Sequence, residues 1–126
     1  MIGYLMLGTN NLGAAIDFFD QVFAPLGLKK VEVEETFAGY AYNEKNSEIE
    51  FYITQPYDGK DATVGNGCMV AFLAESPSLV DEFHQIALQN GAVDEGAPGL
   101  RPSDGNIYYG YIRDLDGNKI CAYSKL

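Results

Sequence analysis

DLDGNKI (Asp114–Ile120) joins two apolar stretches near the end of the chain, IYYGYIRD (Ile107–Asp114) before it and KICAYS (Lys119–Ser124) after it. Asp116-Gly117 at its centre is a turn signal: glycine adopts the positive φ of tight turns, and aspartate bonds backbone groups just beyond itself. The flanks are rich in isoleucine and tyrosine, so the segment reads as strand, turn, strand. Turns of this kind often carry function. The returning strand nevertheless presents Cys121 and Ala122 where a charged, metal-binding or catalytic side chain would be expected of a site.

Working backwards from that hairpin, CMVAFLA is a strand. Ser76 caps a helix with Pro77 at its first position, where a missing N–H costs nothing. Leu79, Val80, Phe83, Ile86 and Ala87 give that helix an apolar face, Asn90-Gly91 ends it, and EGAPGLRPSDGN follows as a Gly/Pro-rich loop. The first half has the same order. GYLMLG (Gly3–Gly8) is a strand, and Leu12, Ala15, Ile16, Phe19, Val22 and Phe23 form one helix face. Asn10 or Asn11 caps this helix, and Pro25 with Gly27 stops it. LKKVEVEE, TFAGYAYN and SEIEFYITQ then read as three strands.

QPYDGKDATVGNG (Gln55–Gly67) has linker composition, which divides one domain (1–126) into a module over about 1–56, a linker over about 57–66 and a module over about 67–126. The halves also match by residue: Tyr4 with Met69 and Phe18 with Phe83, 65 positions on; Gly39-Tyr40 with Gly110-Tyr111, Ile49 with Ile120 and Tyr52 with Tyr123, 71 positions on. Each half alone exposes the apolar face of a sheet, and pairing two halves buries it.

The chain has 126 residues, 47% of them hydrophobic, enough for one core. It contains no apolar run of membrane-spanning length, and MIGYLMLGTNN lacks the basic start of a signal peptide. Cys68 and Cys121 are far apart with no CxxC spacing, so a reducing cytoplasm is the expected setting. A net charge of −10 repels nucleic acid and anionic membranes; it serves solubility, or it attracts a cationic ligand. His84 is the only histidine, which excludes sites built on two of them. Its place in VDEFHQIALQ puts it toward the polar flank of its helix, expected in solvent.

With these elements in place, the sequence resembles the vicinal oxygen chelate superfamily: glyoxalase I, bleomycin-resistance proteins and extradiol dioxygenases. The resemblance covers essentially the whole chain. DLDGNKI is similar to that family's DPDGNxIE turn and strand, NNLGAAIDFFDQVFAPLGL resembles its first helix, and GAPGLRP (Gly96–Pro102) is like a loop of a bacterial glyoxalase-like subgroup. The resemblance implies an α+β fold of two βαβββ modules forming a curved, cup-shaped mixed sheet with helices outside. It also implies a homodimer. The family's four metal ligands, histidine at the module starts and glutamate at the closing strands, would fall here at Tyr4, Glu50, Met69 and Cys121.

Phenol and thioether are poor ligands for zinc, magnesium or iron(II), and one thiol with one carboxylate leaves only two donors. No metal or other cofactor is therefore expected, although Cys121 as thiolate with Glu50 keeps a divalent ion as the alternative. Cys121 otherwise reads as a small buried apolar residue, and Met69 as core. In SEIEFYI, Glu48, Glu50 and Tyr52 alternate with Ile49, Phe51 and Ile53, which aims Glu50 into the cup or leaves it in solvent.

Tyr40, Tyr42, Tyr109 and Tyr111 fall on corresponding strands of the two modules. Half of the nine tyrosines would serve simply as sheet surface; rings lining the cup would bind a flat or cationic guest. Arg101 would hold a ligand carboxylate or pair with an acidic residue. The expected function is binding of a small organic molecule, aromatic or cationic, in a tyrosine-lined acidic cup without metal. The alternative is a glyoxalase- or dioxygenase-type enzyme in which Glu50 with a tyrosine performs acid–base work.

Overall fold

The computed structural model describes residues 1–42, 48–103 and 105–126. Asn43 and Ser47, at the ends of two expected strands, and Asp104, in the expected loop, lie outside the described residues. The first module runs β1 (Leu5–Gly8), α1 (Leu12–Val22), a single 3-10 turn (Ala24–Leu26), β2 (Lys29–Val33), β3 (Phe37–Ala41) and β4 (Phe51–Thr54). The second runs β5 (Val70–Leu73), α2 (Pro77–Gln89), β6 (Val93–Leu100), β7 (Ile107–Arg113) and β8 (Lys119–Lys125). The strands form two open four-stranded sheets of mixed direction, ordered β1-β4-β3-β2 and β5-β8-β7-β6. This is the α+β, two-module architecture expected from the sequence.

The helices begin where capping chemistry starts them. The Asn11 side chain accepts from the Ala14 N–H, and Ser76 accepts from the Leu79 N–H with Pro77 behind it. Gly27 and Gly91, both at positive φ, follow the helical segments and turn the chain back. The helices lie on one side of the sheets. Phe18, Phe19 and Val22 of α1 are buried against Tyr40, Phe51 and Ile53, while Val80, Phe83 and Ala87 of α2 are buried with Ile112, Ile120 and Ala122. Phe72 joins the two halves, its ring 5.0 Å from Phe23 and 5.7 Å from Phe51.

The DLDGN turn fastens the modules at another point. Asp114 accepts from the backbone N–H groups of Asp116 and Asn118 and from the Asn118 amide. That amide also donates to the Gly8 carbonyl, 3.0 Å away at the end of β1, and Asp116 accepts from the Asn10 N–H at 2.8 Å. Burial raises the Asp114 carboxyl above its ordinary range, and the bonds from Asn118 and Asp116 work against that rise.

Three expectations are corrected. The segment EGAPGLRP is no plain loop: β6 runs through Gly96, Pro98 and Gly99 as an edge strand with register shifts between Asp94 and Gly96 and between Gly96 and Gly99. Edge position and bulges are what let proline and glycine remain in a strand. His84 is buried, not exposed, with Nε2 3.0 Å from Asp94 Oδ1, because β6 packs over the helix flank that its sequence position made polar.

The residue matches at 71 positions are also not the structural ones. Leu5 and Leu7 lie beside Phe51 and Ile53, and Val70 and Phe72 lie beside Ile120 and Ala122. Keeping the spacing of 65 in the first strands, Phe51 corresponds to Ile120, 69 positions on. Through their shared neighbours Tyr40 corresponds to Ile112, 72 positions on. A slip of one residue reverses the face a side chain occupies, so Tyr40 and Tyr111 point to opposite sides of their sheets.

Replacing Asn118 by alanine leaves the Gly8 carbonyl and one Asp114 oxygen without their donor at a buried site. An Asn118→Ala variant should lose about 1–3 kcal/mol of stability, read as a lower urea midpoint with an unchanged m-value.

Candidate functional site

The side of each sheet away from the helices is the open face of the cup. In the first module it carries Met6, Tyr52 and Phe37; Tyr4, just before β1, meets Tyr52 edge-on with ring centres 5.2 Å apart, and Phe37 packs on the other side of Tyr52 at 5.6 Å. In the second module it carries Tyr109, Tyr111, Cys121, Tyr123 and Lys119. Tyr109 stacks on Tyr111 at 5.7 Å with planes 14° apart and lies 6.0 Å from Tyr123.

Two cations cap this ladder: the Arg101 guanidinium lies 5.3 Å from the Tyr111 ring centre and the Lys119 ammonium 5.6 Å. Both fall within the range of a cation–π contact. Arg101 is fixed there by donating to the carbonyls of Ala97 and Gly99 on the bulged strand. Cys121 is fully buried beneath these groups. Burial pushes its thiol up to about 11, with Arg101 and Lys119 pulling the other way.

Two cavities open along the seam between the modules. One, of about 510 Å³, is lined by Leu28, Tyr42 and Glu50 from the first module and by Leu73, Glu75 and Lys125 from the second. Tyr42 donates to Glu75 at 3.1 Å, and that bond holds its hydroxyl proton above the ordinary range. The other, of about 470 Å³, lies between the edges of β1 and β5, with Met6 and Met69 in its walls, the linker residue Val64 and Cys68 just after the linker beside them, and Lys119 at the side toward the tyrosine ladder.

The candidate residues are therefore distributed. Arg101, Tyr109, Tyr111 and Cys121 are brought together on the second sheet. Glu50 and Tyr42 share one cavity, Met69 lines the other, and Tyr4 stays with Tyr52 on the first sheet. Tyr40 does not face the cup at all: it has no exposed surface, packs on Phe19, Phe23 and Phe51, and donates to Asp20 at 2.8 Å. Desolvation, with Asp20 beside it, keeps its phenol protonated.

The alternation assumed around Glu50 also fails. Ile49 lies over Gly39 on the Tyr52 side, because the regular strand begins only at Phe51. Tyr52, two residues further on, is the register counterpart of Cys121, and the sequence-based set had missed it. Lys119 and Tyr123 were missed as well; their alternation with Cys121 along KICAYS was the signal that could have found them. Nor is the second-module face acidic: Arg101 and Lys119 stand on it, and Arg113 is paired with Glu95 at 3.0 Å. The carboxylates near a cavity, Glu50 and Glu75, belong to the 510 Å³ one.

The donor set does not fit a divalent ion. Tyr4 and Tyr52 are phenols and Met69 is a thioether, which leaves Cys121 as the one thiol among them. Among the described residues, no three histidine, cysteine, aspartate or glutamate side chains stand close enough to share a metal. A cation between Arg101 and Lys119 would also meet two positive charges.

Both geometry and sequence have close parallels. The model of the Glyoxalase/Bleomycin resistance protein/Dioxygenase superfamily matches residues 1–122. The chain belongs to that superfamily. A glyoxalase/bleomycin resistance protein from Albidiferax ferrireducens T118 shares 34% identity with a TM-score of 0.88, and the match covers 98% of each chain. A family enzyme from Burkholderia phytofirmans PsJN, at 18% identity, has a TM-score of 0.75 over 99% of this chain and 98% of its own. The fosfomycin resistance protein FosX from Listeria monocytogenes, at 14% identity, has a TM-score of 0.72 over 100% of this chain and 93% of its own. The latter two likenesses concern the fold. No curated protein matches this superfamily member significantly.

Cys68 is exposed and Cys121 is buried. Iodoacetamide at about pH 8 should therefore attach one group to the folded protein, at Cys68, and two after denaturation. Peptide mass spectrometry that finds native Cys121 alkylated as fast as Cys68 would contradict this placement.

Proposed function

We propose that this superfamily member binds a small organic molecule along the module seam without a divalent metal. The observation that carries the proposal is the 470 Å³ cavity beside Met69 and Lys119, next to family ligand positions now filled by phenol, thioether and a protonated thiol. Its walls offer apolar surface that a guest would cover, and a few polar groups at one side would orient it, which is the usual composition of a small-molecule site. The tyrosine ladder adds flat, half-buried rings at low entropic cost. Acid–base chemistry by Glu50 has less support, since Glu50 is exposed and lies in the other cavity.

No described helix is long and apolar enough to cross a membrane. We place the protein in a reducing compartment, the cytoplasm, because both of its cysteines are free. A homodimer is part of the same proposal. Val31 and Val33 on edge strand β2, and Val93 and Leu100 on edge strand β6, expose apolar surface that a second chain would cover.

Elemental analysis of the purified protein should find no stoichiometric zinc, nickel, iron or manganese, and zinc titration should leave Tm unchanged. A one-to-one metal that disappears in Glu50→Ala would overturn the metal-free proposal. In a thermal-shift screen, guests of the right shape should raise Tm by mass action.

A further inference from the structure

Arg101 and Lys119 are two of eight cationic side chains in a chain with eighteen acidic ones. A carboxylate partner for each would be easy to supply, and the structure supplies it elsewhere: Lys30 pairs with Asp20 at 2.6 Å and Arg113 with Glu95 at 3.0 Å. Around Tyr111, however, among the described residues Arg101 bonds only to backbone carbonyls, and the contact that Lys119 makes is the one with the ring. Both cations face the same ring, and that ring belongs to the strand neighbour of Cys121. Two cations facing one ring, neither paired with a carboxylate among the described residues, repel each other, and an anion beside both relieves that repulsion. A guanidinium also offers paired donors that match the two oxygens of a carboxylate.

Lys119 also lines the 470 Å³ seam cavity, whose other walls include Met6, Val64, Met69 and Val70. One ammonium thus stands between an apolar cavity and a second cation. We infer that the guest is an amphipathic organic anion: its apolar body fills the cavity between β1 and β5, and its carboxylate or similar group lies at Lys119 and Arg101. This inference rests on the small-molecule reading of the seam and adds the sign of the charge and the way the guest lies. It reverses the cationic guest suggested by the net charge, because the field inside a cleft is set by its nearest side chains and the sum over the surface matters less.

The test is calorimetric titration of the full-length protein with three probes that share one body: 2-naphthoate, its neutral amide 2-naphthamide, and the cation 2-naphthylmethylammonium. The expected order is naphthoate tightest, by about tenfold over the amide as befits one charge-assisted contact, with the ammonium weakest. Lys119→Met and Arg101→Met should each bring naphthoate down to the level of the amide. Lys119→Arg should keep its advantage, and added salt should erode it. Filling the cavity with Val64→Phe should weaken the amide and naphthoate alike. Equal or tighter binding of the amide or the ammonium would overturn the anionic assignment and leave the seam as a binding site. Failure of all three probes, or no effect of Val64→Phe, would overturn both.

Discussion

Phe72 is the contact on which the arrangement depends. It belongs to an edge strand of the second module, yet its ring packs on Phe23 and Phe51 of the first. A four-stranded sheet with one helix leaves apolar surface at its edge, and the two modules cover this surface for each other. The phenylalanine contact acts at one end of the seam and the Asn118 bond to Gly8 at the other. The interior between these points is not filled, because β1 and β5 do not hydrogen-bond to each other; each is the outer strand of its own sheet. The cavities are a consequence of joining two sheets side by side without making one continuous sheet.

Much of this was legible in the sequence. Helix caps, the Asp-Gly turn and the apolar spacing of α1 and α2 are local signals, and the structure follows them nearly to the residue. The doubled order of elements was legible for the same reason, since it needs only the type of each segment. Register was not legible. The match of Gly39-Tyr40 to Gly110-Tyr111 looks convincing as letters, but in β-structure an error of one position exchanges core for cup. Tyr40 shows the consequence. Its ring belongs to the core of the first module, while Tyr111 belongs to the open face of the second. Strand pairing is a long-range property, and nothing within five residues of Tyr40 reports which neighbour Phe51 will choose.

His84 and β6 failed together, and for a related reason. A histidine on the flank of an amphipathic helix looks solvated until the strand that covers it is known. That strand contains Gly96, Pro98 and Gly99, which argue locally for a loop. Its edge position removes the objection, because one side of the strand has no ladder to break. Asp94 then supplies the partner His84 needs. Its carboxyl is held below the usual range first by the Gly96 N–H and then by the imidazole. The bulge thus serves twice: it lets the glycines stay in the strand, and it turns Asp94 toward α2.

Charge counted over the whole chain does not describe the cup. Ten net negative charges describe the surface, where most carboxylates are solvated. The cup is described by what stands within a few ångströms of one ring. There the identity of residue 121 matters more than the total. A carboxylate at this position would stand opposite Tyr111 in the strand register and add a counter-charge beside Arg101 and Lys119. Cysteine cannot do so, because burial keeps its proton on. A thiol at 121, where the family resemblance implies an acid, thus offers a poorer ligand and no counter-charge to its two cationic neighbours. On the proposed anionic reading, the side chain that looked like a lost function in the sequence is what leaves its neighbours open to a negatively charged guest.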